Sequence, residues 1–221
     1  MLPGAMRGSG ESARNRRQRP NARNKQIRTS DRWLGIFGSQ PDNFIYFREN
    51  RSLPITPFHF GPGALIKCVA PGLVSWTVFA LANVLIDLEP IALFLLTGEP
   101  AHPWLHTLPG AILVAIVAAT AGRQLCEWFL RWWNRQLSPA QARWFAVPAQ
   151  IGRAAAWAGA FLGTVSHILL DAVMHVDVRP FWPLYPGNPM QGWIAIERLQ
   201  WGCVAAGVLG IAVLAIVKRH G

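Results

Sequence analysis

Acid is scarce in this chain. Eleven Asp and Glu stand against 21 Lys and Arg, for a formal charge of +10, and charged residues of both signs make up only 14% of the whole. A typical water-soluble domain carries about 25%, so so little charge in a chain that is 52% hydrophobic argues for a bilayer. Cysteine is equally short. Cys68, Cys126 and Cys203 lie in or beside separate apolar segments without CxxC spacing, which excludes a disulfide framework or a cysteine-held structural zinc and leaves them as small core residues. No internal repeat is present. The basic N-terminal residues are not expected to act as a signal peptide, because no apolar stretch follows them within the usual distance.

What the chain has is long apolar runs. About 20 mostly apolar residues suffice to cross the hydrocarbon core. Four runs meet this: Gly72 to Leu96, Leu108 to about Trp133, Pro148 to His175, and Leu199 to Val217. A shorter piece, Phe60 to Ala70, cannot span alone and reads as a half-helix or re-entrant segment. The expected fold is all-α: an integral membrane helical bundle of about four transmembrane helices plus one short half-helix, in one domain over residues 53–221.

The first 52 residues are of another kind. Met1 to Arg51 hold eleven Arg and Lys among Ser, Asn, Gln, Gly and Pro. Such a composition cannot bury enough apolar surface to offset its ordering entropy, so a disordered basic tail is expected. Arg14-Asn-Arg16-Arg17-Gln-Arg19 could touch nucleic acid weakly, or anionic lipid; the plain alternative is a solvated cytoplasmic tail.

Arginines also suggest an orientation. The connection between the second and third runs carries Arg123, Arg131, Arg135, Arg143 and Arg153, and the C-terminus carries Lys218 and Arg219, whereas Thr97 to Thr107 has no basic residue but histidine. The positive-inside rule places the Arg-rich connection and the C-terminus in the cytoplasm, with Trp128, Trp132, Trp133 and Trp144 as an interfacial belt.

Against this apolar background the ionisable residues stand out, since a charge within a span is expensive and by default marks a functional site. His167-Ile-Leu-Leu-Asp171-Ala-Val-Met-His175 puts three ligand types at i, i+4 and i+8 on one helix face. The outer two lie ~12 Å apart along a straight helix, too far for one ion. Either His167 and Asp171 chelate one ion while His175 serves a second, or the helix unwinds near Met174. The first span ends in Asp87-Leu-Glu89-Pro90, the second begins after His102 and His106, and the third ends at Asp171 and His175. In an up-down bundle these ends share one membrane face. Pro57-Phe-His59-Phe-Gly-Pro-Gly63 opens the short segment. If that segment and the first span form a hairpin, His59 joins the cluster, but the basic tail then falls on the site's face, against the charge rule. Either the tail is outside, or the segment is re-entrant, or the site faces the cytoplasm.

Mixed imidazole and carboxylate ligands suit zinc, iron, manganese or nickel. Ions so held generate hydroxide and clamp a phosphoryl or acyl oxygen, and Glu89 could be a further ligand or a general base. The plain alternative for His167 with Asp171 is a buried hydrogen-bonded pair. For His102 it is a satisfied core or interfacial residue. Beyond the third run, Val178-Arg-Pro-Phe-Trp-Pro-Leu-Tyr-Pro-Gly-Asn-Pro189 cannot continue a helix. It reads as a lid with Arg179 pairing an anionic substrate group, or as a surface loop anchored by its aromatics.

Gly163-Thr-Val-Ser166-His167-Ile-Leu-Leu-Asp171, followed by Arg179-Pro180-Phe-Trp182-Pro183, resembles the signature of a bacterial family of membrane-bound metal-dependent hydrolases that includes a LexA-regulated inner-membrane member. The family shows an early histidine, an Asp-x-Asp pair, a histidine opening the next helix, and a Ser-His-x-x-x-Asp helix before a Trp-Pro turn. His59, Asp87 with Glu89, His106, and His167 with Asp171 match these in order. Glu89 replaces an aspartate, Leu105 replaces a threonine, and His175 stands where many relatives have no ligand. The resemblance implies a divalent-metal hydrolase of the bacterial inner membrane, zinc first and manganese or iron as alternatives. His59, Asp87, His106, His167 and Asp171 are then the ligands, and Glu89, His175 and Arg179 the catalytic candidates. A remoter similarity to the zinc-dependent phospholipase C and single-strand nuclease superfamily implies a small phosphate-containing or lipid-like substrate, with membrane lipid as partner. The competing expectation is a non-enzymatic metal-binding or transport protein using the same cluster.

Overall fold

A computed structural model describes residues 57–98 and 101–220; the reading of residues 1–52 as a basic tail lies outside them. Every regular element among the described residues is helical. A single 3-10 turn, Pro57–His59, leads into α1 (Phe60–Val69). There follow α2 (Trp76–Ile86), α3 (Leu88–Thr97), α4 (Leu108–Val117), a π turn (Ala118–Gly122), α5 (Arg123–Gln136), α6 (Pro139–Phe145), α7 (Arg153–Met174) and α8 (Ile196–His220).

Four stretches are long and apolar enough to cross a membrane: Trp76–Thr97, Leu108–Gln136, Arg153–Met174 and Ile196–Val217. They match the four expected runs, with differences that have local causes. The first span does not end at Asp87. Asp87 keeps helical dihedrals, and Pro90 falls in the first turn of α3, where a missing N–H costs no hydrogen bond. The chain therefore continues to Thr97 and stops at Gly98, whose φ of 80° suits a left-handed helix cap. Arg123, Arg131 and Arg135 lie on a helix rather than in a loop, because α5 carries the second span onward through the π turn. The third span starts at Arg153 instead of Pro148. Residues 147–152 are instead strapped to α5: the Ile151 amide donates to Glu127 Oε1 at 3.0 Å, and Arg123 Nη1 donates to the Ile151 carbonyl at 3.0 Å.

α7 is the central element. α2 and α4 pack along it, while α1 lies against α8. The core beneath the site is built largely of small residues, including Ala82, Ala115, Ala118, Ala119, Ala156 and Ala160. Small residues let helix backbones approach closely, which is how helices gain packing where lipid removes the usual hydrophobic drive. The contact of α7 with α2 shows it directly: a Cβ placed on Gly159 would sit 2.4 Å from the Ser75 carbonyl oxygen, and one on Gly163 2.8 Å from that of Phe79. Ser75 fixes this crossing from the other side. Its hydroxyl caps α2 and its amide donates to the Ala155 carbonyl at 2.9 Å. α1 and α2 form a tight hairpin, with Lys67 Nζ donating to the Pro71 and Val74 carbonyls at the turn.

Candidate metal centre

Four side chains from three elements meet beside α7. Asp87 stands at the joint of α2 and α3, His106 lies just before the α4 N-cap Thr107, and His167 and Asp171 sit one turn apart on α7. All four are buried, His106 and His167 completely. One ligand atom from each lies within 4.8 Å of the others. His167 Nε2 is 3.0 Å from Asp87 Oδ1 and 3.2 Å from Asp171 Oδ2; His106 Nε2 is 3.1 Å from Asp171 Oδ2 and 3.8 Å from Asp87 Oδ1.

These separations look like ion pairs, yet the atoms are not aligned as hydrogen bonds. His106 Nδ1 and Nε2, His167 Nε2, both ring nitrogens of His59 and Asp171 Oδ1 are all buried without a hydrogen-bond partner. An unsatisfied buried polar atom costs about 1–3 kcal/mol, so those among them that face the cluster are costly unless they share something else. Ligand atoms held about 2.0–2.2 Å from a tetrahedral zinc are about 3.3–3.6 Å from one another, within the observed range. The cluster can hold a metal ion.

His59 comes from the 3-10 turn before α1, and the α1–α2 hairpin returns it to the cluster. Its Nε2 lies 3.2 Å from Asp171 Oδ1, and its ring centroid is 4.2 Å from that of His167. His175 is the first residue after α7, with extended backbone (φ −116°, ψ 128°). Of the two expected arrangements the helix shows the break after Met174, and His175 Nε2 sits 3.9 Å from Asp171 Oδ1. Glu89 is placed differently. Its Oε2 accepts hydrogen bonds from the Trp104 and Leu105 amides at 3.0 and 2.6 Å, so it anchors the segment that presents His106. Arg179 is half-buried in the segment after α7, and its carbonyl accepts from the Trp182 amide at 3.2 Å.

Three residues outside the expected ligand set complete the surroundings. Asn83 Oδ1 lies 3.1 Å from His167 Nδ1, and Asn83 is itself fixed by donating to the Phe79 carbonyl at 2.9 Å. An acceptor on Nδ1 assigns the proton there and leaves Nε2 as the coordinating nitrogen. A signal existed in the sequence, for Asn83 stands four residues before Asp87 and shares its helix face. His102 is buried and joins a second group with Asp171 and His175. Asp177 Oδ2 accepts from the His102 amide at 2.9 Å and lies 3.0 Å from its Nδ1.

These contacts cover the cluster. The segment after α7 is tied down by Asn188, which donates to the Ala172 and His175 carbonyls, and by the Leu108 amide donating to Pro180. Trp182, preceding a cis proline, meets Trp104 edge to face. Outside the spans, burial lowers the His106 pKa to about 4 against the nearby Asp171 carboxylate, and lowers that of His175. Burial also opposes charge on His102 and Asp177. Their mutual hydrogen bond and attraction prevail, raising His102 and lowering Asp177.

Comparison with protein-family models, curated proteins and solved structures returns no match.

Proposed function

We propose that this protein is a membrane-bound metal-dependent hydrolase of the bacterial inner membrane, acting on a small phosphate-containing or lipid-like substrate. The observation that supports it best is the set of buried imidazole and carboxylate groups that converge from the C-terminal end of α2, the residue before the α4 N-cap and α7, with atoms of His106, His167 and Asp171 unpaired. His106, His167, Asp87 and Asp171 would hold the ion, with zinc first and manganese or iron as alternatives, a hard-to-borderline donor set without sulfur. When bound, such an ion supplies Lewis-acid activation of water and polarises a phosphoryl or acyl oxygen. The protein's own residues set the stage: Asn83 keeps His167 Nε2 directed at the centre, Glu89 fixes the segment carrying His106, and residues 176–190 limit the access of water. Arg179 is the candidate for pairing an anionic substrate group. The order of His59, Asp87, His106, His167 and Asp171 also supports the reading through the family resemblance drawn above.

Elemental analysis of the protein purified in detergent tests it, comparing wild type with the double variant His167→Ala, Asp171→Ala. Near-stoichiometric zinc, manganese or iron, absent from the variant, is expected; release of phosphate or alcohol from phospholipids and phosphodiesters should follow the metal. No metal in wild type even after reconstitution would sink the proposal. Bound metal with no turnover of either substrate class would favour a metal carrier instead.

A further inference from the structure

Asp171 has two carboxylate oxygens, and they face different partners. Oδ2 lies 3.1 Å from His106 Nε2 and 3.2 Å from His167 Nε2, within the four-residue cluster. Oδ1 points elsewhere: His59 Nε2 is 3.2 Å away and His175 Nε2 3.9 Å. Among these atoms Asp171 Oδ1 and His59 Nε2 are buried and unpartnered, and His59 is only 2% exposed. His102 belongs with His175, since these two and Asp171 each offer a ligand atom within 4.8 Å of the others. The rings of His102 and His175 stack at 4.7 Å. Asp177 holds His102 through Nδ1, the carboxylate–imidazole arrangement that directs the other nitrogen at a metal.

We propose that a second divalent cation binds on the Oδ1 side of Asp171, held by Asp171, His102 and His175 with His59 beside them, so that the Asp171 carboxylate bridges two ions. The proposal rests on the first ion being held by the four-residue cluster. It explains why α7 ends at Met174 with extended backbone at His175, and why His59 Nε2 is buried and unpaired beside Asp171 Oδ1. It also identifies Asp177 as a positioning residue for His102. Two ions sharing one carboxylate stand close enough, at about 4 Å, to act on one phosphoryl group together.

The experiment loads the full chain in detergent with Mn²⁺, then measures metal content and the electron paramagnetic resonance spectrum. Wild type should bind about two ions per chain, with the exchange-coupled spectrum of a bridged pair. The variant His102→Gln, His175→Gln should bind about one, with the six-line spectrum of an isolated ion. The wild-type spectrum keeps the proposal testable should that variant fail to fold. Two uncoupled ions in wild type would overturn the bridge, and two ions retained by the variant would overturn the ligands. One ion in wild type, unchanged in the variant, would overturn the second site and leave the first standing. No ion in wild type would overturn both.

Discussion

α7 and α8 are both long enough and apolar enough to cross a bilayer, but they are used in opposite ways. Half of α7's most apolar stretch is buried (50%), against 11% for α8. α7 carries His167 and Asp171 in its C-terminal half and is packed by α2 on one side and α4 on another. α8 has no Asp, Glu, His, Lys or Arg between Arg198 and Lys218, and shows Trp201, Val208, Leu209 and Ile211 on its outside. It contacts chiefly α1, through glycines such as Gly210, where a Cβ would sit 2.5 Å from the Ala64 backbone. The difference follows from where water and lipid are. A buried helix can carry polar groups only if neighbouring helices bring partners to them, whereas a lipid-facing helix has none to offer. The helix with the lower apolar content is the one at the centre.

The comparison can be broken hardest at the crossing of α2 and α7. Gly159→Leu puts a side chain where even a Cβ meets the Ser75 carbonyl at 2.4 Å, and the two backbones must separate. A loss of about 3 kcal/mol or more is expected, the upper part of the overpacking range. A thermal melt in detergent reads it, and metal binding should fall with it because Asp87 and His167 sit on the two helices forced apart. Unchanged melting would mean the crossing is looser than described.

A smaller effect sharpens the role of α7's polar side. Asn83→Ala removes the acceptor on His167 Nδ1 without touching a ligand. Metal affinity should fall about 10–100-fold, as it does when outer partners of metal-bound imidazoles are lost. Competition with a coloured chelator measures the affinity. Equal affinity in both proteins would show that Asn83 does not orient His167.

The smallest effect belongs to α8. A Cβ on Gly202 meets nothing within 4 Å, so Gly202→Ala should leave metal binding alone and raise stability by about 0.4–1 kcal/mol through a less flexible unfolded chain. Destabilisation there would indicate that α8 is more tightly packed than its exposure suggests.

Much of this was legible in the order of residues. Apolar runs of sufficient length located the four spans, because the bilayer imposes a length and hydropathy requirement that each run meets alone. His59, Asp87, His106, His167 and Asp171 were also visible, since a charged or imidazole group in an apolar run is conspicuous. Their convergence was expected from short connections, and the structure does bring them together. Less legible was what each atom does. Glu89, two residues from Asp87, was expected to be a ligand or base, yet its carboxylate is held by the Trp104 and Leu105 amides. His102 was expected at the same membrane face but outside the ligand set, and Asn83 and Asp177 were passed over.

The sequence by itself determined the all-helical architecture, the number of spans and the identity of the side chains that lipid would reject. Those properties depend on local composition, which needs no knowledge of the rest of the chain. Only the tertiary structure decided that Asp171 turns one oxygen to His106 and His167 and the other to His59 and His175, that Asn83 meets His167 from 84 residues away, and that Asp177 takes His102 from 75 residues away. Those contacts depend on how closely α2, α4 and α7 approach, and that distance is set by glycines and alanines whose meaning appears only when a second helix lies against them.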